Sequence, residues 1–366
     1  MRVASIEVRH LRIIDSVRLE FSTGVNLVVG PNGSGKSSLL EAVHILGSGR
    51  SFRSHRLRDI ITHGKSGLRI VGRTIGSDGV SETTGIEHES EGLRIRRGGA
   101  DIRAASELAA LLPMVTVTPD SHRLITDGAD LRRRIVDRLL FHVEPTYLKH
   151  HRRYRRALRQ RNAAIRGGAG VSDLSAWDTE LAEGGELLSE QRARYLDRAL
   201  PAMNEVVGAL LGRPADIQFY RGWDSDLSLV QACERSLKDD RLRGYTQVGP
   251  HRADLRFTVC GRPLRHSLSR GEAKLFVTAI AVAQVLDLAS VLGYPPVVLV
   301  DDIASELDLD SRGRCLKELR ATGAQLFLTA VPDAGMGMGD IGSDAEPHVE
   351  PGRLFHVERG HIHQVV

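Results

Sequence analysis

Gly30-Pro31-Asn32-Gly33-Ser34-Gly35-Lys36-Ser37 follows the pattern G-x-x-x-x-G-K-[ST], and its setting decides the fold. The apolar run Val25–Val29 precedes it, and SSLLEAVHILG (Ser37 to Gly47) follows with helical character. Strand, Gly-rich loop and helix in that order form the context a phosphate-binding P-loop requires. Small residues let successive backbone N–H groups curl around a phosphate, and the helix start adds its positive end. In this reading Gly30, Pro31, Asn32, Gly33, Ser34, Gly35, Lys36, Ser37 and Ser38 hold a nucleotide. Lys36 reaches the β- and γ-phosphates, and the Ser37 hydroxyl is a ligand for Mg²⁺. The competing reading is a Gly-rich turn with an incidental lysine.

Two distant segments support the P-loop. VVLVDDIASELD, Val297 to Asp308, opens with four apolar residues suited to a buried parallel strand and ends in two acids. Asp301 is placed to hold the Mg²⁺ shell, and Asp302 to orient or polarise an attacking water; the plainer alternative is two acids that cap a turn. LSRGEAKLF, Leu268 to Phe276, resembles the LSGGQ-type signature of ABC-class ATPases, with Ser269 and Gly271 in place. Ser269 with Glu272 also reads as a capping box. The two readings agree, because a capped helix start is itself an anion site. In the ABC class the signature grips the γ-phosphate bound to another subunit, so Ser269 is expected to act in trans.

Between these motifs the texture is helical from about residue 119. Tyr147, His151, Tyr154, Leu158, Arg161 and Ile165 follow one helical face, Gly167-Gly168-Ala169-Gly170 interrupts, and the spacing resumes from Leu174 to Tyr195. This predicts a helical hairpin with four to seven turns per helix. Strand texture returns near residue 245. The expected fold is α/β: an ABC/SMC-like P-loop ATPase head from residues 1–118 and 246–366, with a helical-hairpin arm domain inserted over 119–245. A Gly/Asp/Pro-rich loop is expected over 332–352.

Composition narrows the function classes. Aromatics make up 4%, which argues against reading single strands mainly by base stacking. Three cysteines without paired spacing give neither a zinc knuckle nor a disulfide framework. The first ten residues, MRVASIEVRH, lack an apolar leader core, and Leu275–Val300 is broken by Gln284, Asp287, Gly293 and a proline pair, so no membrane segment is expected. The net charge is only +4, yet Lys149–Arg166 carries eight Lys/Arg and no acid, leaving the rest of the chain net negative. Such a stripe is the electrostatic footprint of phosphate-backbone binding; a solvated helix face, or pairing with Asp178, Glu180 and Glu183 on the next helix, is the alternative. Arg152, Arg153, Arg155, Arg156 and Arg159 are the DNA candidates here, with Arg53 and Arg56 in a smaller cluster.

Five pieces carry a family likeness: GRSFRS (Gly49 to Ser54), DLRRRIVD (Asp130 to Asp137), YRRALRQRNAAI (Tyr154 to Ile165), VGPHRADL (Val248 to Leu255) and the VDDIASELD already met (Val300 to Asp308). In this order the chain resembles the RecF family of bacterial recombination-repair ATPases. The resemblance implies an ATP- and Mg²⁺-dependent homodimer that binds gapped or tailed duplex DNA in the cytoplasm, at the nucleoid. It further implies action with a RecR-type mediator in recombinase loading, and puts VGPHRADL, with His251 and Arg252, near the ATPase core. Two departures stand out. Arg270 and Glu272 replace the second Gly and the Gln common in ABC signatures. Asp302 replaces the usual Glu, and its shorter side chain implies slow hydrolysis. A transporter nucleotide-binding subunit is the alternative class.

Overall fold

The computed structural model describes residues 1–302, 307–332 and 352–365. Ser305 and Glu306 of the Ser-Glu-Leu-Asp segment, and nearly all of the expected 332–352 loop, lie outside the described residues. The chain divides into two compact units, Met1–Ser121 with Arg270–Val366, and His122–Ser269.

The first unit begins with β1 (Arg2–Leu11), β2 (Ile14–Glu20), β3 (Val25–Val29) and α1 (Lys36–Ser48), followed by β4 (Leu68–Ile75), β5 (Ser81–Glu89), β6 (Gly92–Arg97), β7 (Ala100–Asp101), α2 (Ala105–Leu111) and β8 (Met114–Val117). The second unit holds α3 (Arg123–Thr126), α4 (Ala129–Val143), α5 (Tyr147–Arg166), α6 (Val171–Leu211), β9 (Ala215–Tyr220), α7 (Leu229–Arg243), β10 (Asp254–Val259) and β11 (Arg262–Pro263). The chain then returns to the first unit through α8 (Arg270–Leu292), β12 (Val297–Val300), α9 (Leu309–Ala321), β13 (Leu326–Ala330), β14 (Arg353–Glu358) and β15 (His361–Gln364).

Two six-stranded sheets build the first unit. One is antiparallel, ordered β2-β1-β4-β5-β6-β7; the other is ordered β15-β14-β3-β13-β12-β8, parallel apart from β15. Helix α1 contacts β1, β4 and β5 of the first sheet and β13 and β8 of the second. Leu39, Leu40, Val43, Ile45 and Leu46 on it are buried in the core that both sheets share. The strands β3, β12 and β13 are buried at every position, as a parallel layer covered on both faces demands. Buried Gln325 ties the sheets: its amide accepts from Val3 N–H at 2.8 Å and donates to the Val3 and Ser22 carbonyls at 2.8 and 2.7 Å. Helix α8 is long and apolar enough to cross a membrane by length and composition, but most of it is buried inside this unit, from Leu275 through Val285.

In the second unit α5 and α6 form the expected antiparallel hairpin. Tyr147, Tyr154, Leu158, Arg161 and Ile165 of α5 are buried, as are Leu174, Leu181, Leu188 and Tyr195 of α6, whereas Trp177 is exposed. Helix α6 departs from expectation: its 41 residues make about eleven turns. The apolar spacing continues past Tyr195 through Leu196, Ala199, Met203, Val207 and Leu210, and Pro201 is carried inside the helix. The boundary also differs from the expected 245/246. β9, inside the stretch read as helical, pairs antiparallel with β10 along its length. Arg132 grips Asp254 with two hydrogen bonds at 2.7 and 3.1 Å, and Arg133 donates to the Ala253 carbonyl at 2.8 Å. Residues 246–269, including VGPHRADL, therefore belong to the second unit.

Candidate nucleotide-binding site

The P-loop is set by what surrounds it. β3 delivers Gly30, whose N–H donates to the Ala330 carbonyl at 3.3 Å, and α1 starts at Lys36 after Gly35 at φ 120°. A Cβ on Gly30 would lie 2.2 Å from the Val357 carbonyl oxygen, so only glycine fits against β14 there. The turn after β14 closes the back of the loop, with Gly360 N–H donating to the Ser34 carbonyl at 2.8 Å.

Lys36 is 7% exposed, and its ammonium donates to the Gly30 and Pro31 carbonyls at 2.7 and 2.9 Å. Burial lowers its pKa, while Asp302 and Asp301 oppose that shift. Ser37 Oγ donates to Asp301 Oδ1 at 2.9 Å across 264 residues of sequence. The same Asp301 oxygen accepts from the Thr329 hydroxyl at 2.7 Å, and that hydroxyl accepts from Asp302 N–H at 2.7 Å. The residues fit a bound nucleoside triphosphate. Among the described residues no side chain caps the start of α1, leaving its positive end for an anion, and Ser34 Oγ is buried without a hydrogen-bond partner. They fit Mg²⁺ as well, since a serine hydroxyl beside a carboxylate offers the oxygen ligands that a hard cation prefers.

The remaining candidates are spread more widely. Ser269 is exposed and immediately precedes the first residue of α8; Gly271 lies in its first turn. Arg152, Arg155, Arg156 and Arg159 are exposed on α5. Arg153 is exposed too but engages Glu180 at 2.7 Å and Glu183 at 3.0 Å, the alternative weighed for this run. Arg53 and Arg56 are exposed on the loop after α1. That loop is anchored to the P-loop helix. Ser51 donates to the buried Glu41 carboxylate and accepts from the N–H groups of Arg53 and Ser54 at 2.9 and 2.8 Å, while Arg12 holds Glu41 from β1's end.

Sequence reading passed over Thr329, Lys274 and Glu41. The first was visible only as the end of a strand, the second as one letter of the signature, and the third as a polar residue on an otherwise apolar helix. A carboxylate buried at 0% exposure on the P-loop helix was the missed signal, because such a group must have partners.

Two sheets around a P-loop helix, with an acidic strand end against the loop, define the ATPase head of the ABC/SMC class. The RecF/RecN/SMC N-terminal domain family matches residues 2–340. The chain is 40% identical to the DNA replication and repair protein RecF of Thioalkalivibrio sulfidiphilus (strain HL-EbGR7), over 95% of this chain and 98% of that one. It is 41% identical to the same protein of Xanthomonas euvesicatoria pv. vesicatoria (strain 85-10), over 99% and 98%. A solved structure of the recombination mediator protein RecF with ATP, in the RecFOR pathway, superposes with TM-score 0.84 at 25% identity, covering 100% of this chain and 97% of that one. An SMC head bound to the C-winged helix domain of ScpA shares the fold, with TM-score 0.59 at 16% identity and coverage of 100% and 97%. The chain belongs to the RecF family.

Proposed function

We propose that this chain is an ATP-dependent DNA-binding protein of replication and recombinational repair, a slow ATPase that works as a dimer on gapped or tailed duplex with a RecR-type mediator. The observation that carries the reading is the contact between Ser37 of the P-loop and Asp301 of the acidic strand end, in a chain similar to RecF proteins along its length.

The chemistry follows from the side chains. Lys36, now satisfied by two loop carbonyls, exchanges them for phosphate oxygens. Ser37 and Asp301 are the residues that would hold Mg²⁺, which when bound neutralises charge on the phosphates. Asp302 orients the water for attack, and its short side chain suits a switch that turns over slowly. Ser269 and Gly271 at the start of α8 supply an anion site to the nucleotide on a second copy. Arg152, Arg155, Arg156, Arg159, Arg53 and Arg56 contact DNA phosphates; Arg153, committed to Glu180 and Glu183, contributes less. Closure of the dimer by ATP clamps DNA, and hydrolysis releases it.

Sedimentation with and without ATP tests this. Wild type is expected to gain mass with ATP and Lys36→Ala is not; an unchanged wild-type mass overturns the dimer. Salt-sensitive retention on gapped duplex, without co-fractionation with membranes, separates this reading from a transporter subunit.

A further inference from the structure

We propose that Thr329, assisted by Lys274, is the positioning residue that sets both acids of the hydrolytic pair. The inference rests on the reading that this P-loop hydrolyses ATP.

Thr329 is the last but one residue of β13 and is fully buried. Its hydroxyl carries one proton and two lone pairs. The Asp302 N–H can only donate, so at 2.7 Å the hydroxyl must accept there. The proton is thereby committed to Asp301 Oδ1, also at 2.7 Å. One oxygen atom thus fixes the carboxylate of one acid and the backbone of the next. With Ser37 donating at 2.9 Å to the same Oδ1, the Asp301 carboxylate is held by two hydroxyls.

Asp302 is held from the other side as well. Its φ is 58°, a left-handed conformation uncommon for residues with a Cβ. Such a conformation persists only where its surroundings over-determine it. Here they do: Thr329 takes the N–H, and Lys274 Nζ donates to the Asp302 carbonyl at 2.5 Å. Lys274 stands five residues into α8, the helix that begins at the signature. With the peptide groups on both sides of Asp302 pinned, the direction of its short side chain is set by the backbone. A plain strand end would need neither contact and could take an ordinary negative φ. A group that must place a water has a use for both.

The test compares Thr329→Val, which removes the hydroxyl at nearly constant volume, with Thr329→Ser, which keeps it. Affinity for a fluorescent ATP analogue is measured with Mg²⁺ and with EDTA, alongside single-turnover hydrolysis of ATP. Thr329→Val is expected to bind in EDTA within about twofold of wild type, to lose most of the gain that Mg²⁺ confers, and to hydrolyse about tenfold or more slowly; Thr329→Ser recovers hydrolysis to within about threefold. A merely structural threonine would lower affinity alike in both buffers. Thr329→Val with wild-type hydrolysis and wild-type Mg²⁺ gain overturns the inference. Should that variant fail to fold, Lys274→Met carries the test: hydrolysis slowed about tenfold supports the inference, and a rate within about twofold of wild type overturns it. A wild-type chain that binds no nucleotide overturns the ATPase reading and this inference with it. A competent wild type beside an unaffected Thr329→Val overturns the inference alone.

Discussion

Arg161 lies in the middle of the basic run of α5 and is fully buried. Its Nε donates to Asp178 at 2.5 Å, and its Nη1 to Asp240 at 2.6 Å and Thr246 at 2.8 Å. Burial, the largest single influence, works to lower its pKa, but the Asp178 and Asp240 hydrogen bonds together with the surrounding negative charge leave the net shift upward. Removing one member of such a network leaves a buried charge uncompensated. Arg161→Met is therefore expected to destabilise the second unit by about 3–5 kcal/mol, read by denaturant unfolding, whereas exposed Arg155→Ala stays within about 0.5 kcal/mol. Wild-type stability in Arg161→Met would show that the network contributes nothing net. The residue also marks a limit of sequence reading. The basic run was legible as a stripe, but its division into buried Arg161, ion-paired Arg153 and exposed Arg152, Arg155, Arg156 and Arg159 depends on partners up to 85 residues away. Asp302 is the opposite case, assigned from its place beside Asp301 alone. Asp302→Asn is expected to bind ATP and dimerise like wild type while hydrolysing about a hundredfold more slowly in single-turnover assays; lost dimerisation would assign Asp302 to binding instead.

Elements with a strong pattern of their own were legible, even where, as for β3 and β12, their strand partners lie far away in the chain, and those that take their character from pairing were not. β3, the P-loop and α1 follow one another directly, and the hydrophobic period changes from strand to helix within a few residues. β9 was missed because six residues between helices gain strand character only by pairing with β10, some forty residues on. The length of α6 was missed because proline is normally a helix breaker, yet Pro201 sits within it. At this scale the basic helix makes a quantitative claim. Each arginine that neutralises one phosphate steepens the fall of log affinity with log salt by about 0.9. Replacing Arg152, Arg155, Arg156 and Arg159 together by alanine should reduce that slope by roughly three to four, measured by anisotropy on gapped duplex. Arg153→Ala should change it by less than one, because Glu180 and Glu183 already neutralise its guanidinium. Equal slopes for wild type and the fourfold variant would move the DNA surface away from α5.

The two units carry different physical sensitivities, and the whole chain should report them separately. The residues proposed to act on nucleotide, Gly30–Ser38, Asp301 and Asp302, with Thr329 behind them, lie in the first unit, and the half-buried histidines His142 and His251 in the second. His251 Nε2 faces the Thr246 carbonyl at 3.0 Å, which can only accept, so Nε2 carries the proton and Nδ1 accepts from the Tyr154 hydroxyl at 2.6 Å. The ring is thus satisfied as a neutral group, and burial pushes its pKa from 6.5 down to about 4; burial beside Arg138 does the same to His142. The unfolded chain then binds more protons than the folded one between these values. Stability of the second unit is full above pH 6.5 and falls as the pH drops through that window. Nucleotide acts on the other unit: bound at about a hundred times Kd it stabilises the folded site by about 2.7 kcal/mol. Scanning calorimetry is expected to resolve two transitions. MgATP raises one, and lowering the pH from neutrality toward about 5 depresses the other. His251→Asn should blunt the acid shift without touching the nucleotide shift. A single transition that answers to both titrations would mean that the units unfold as one, and that energy supplied at the P-loop is felt throughout the arginine-bearing hairpin.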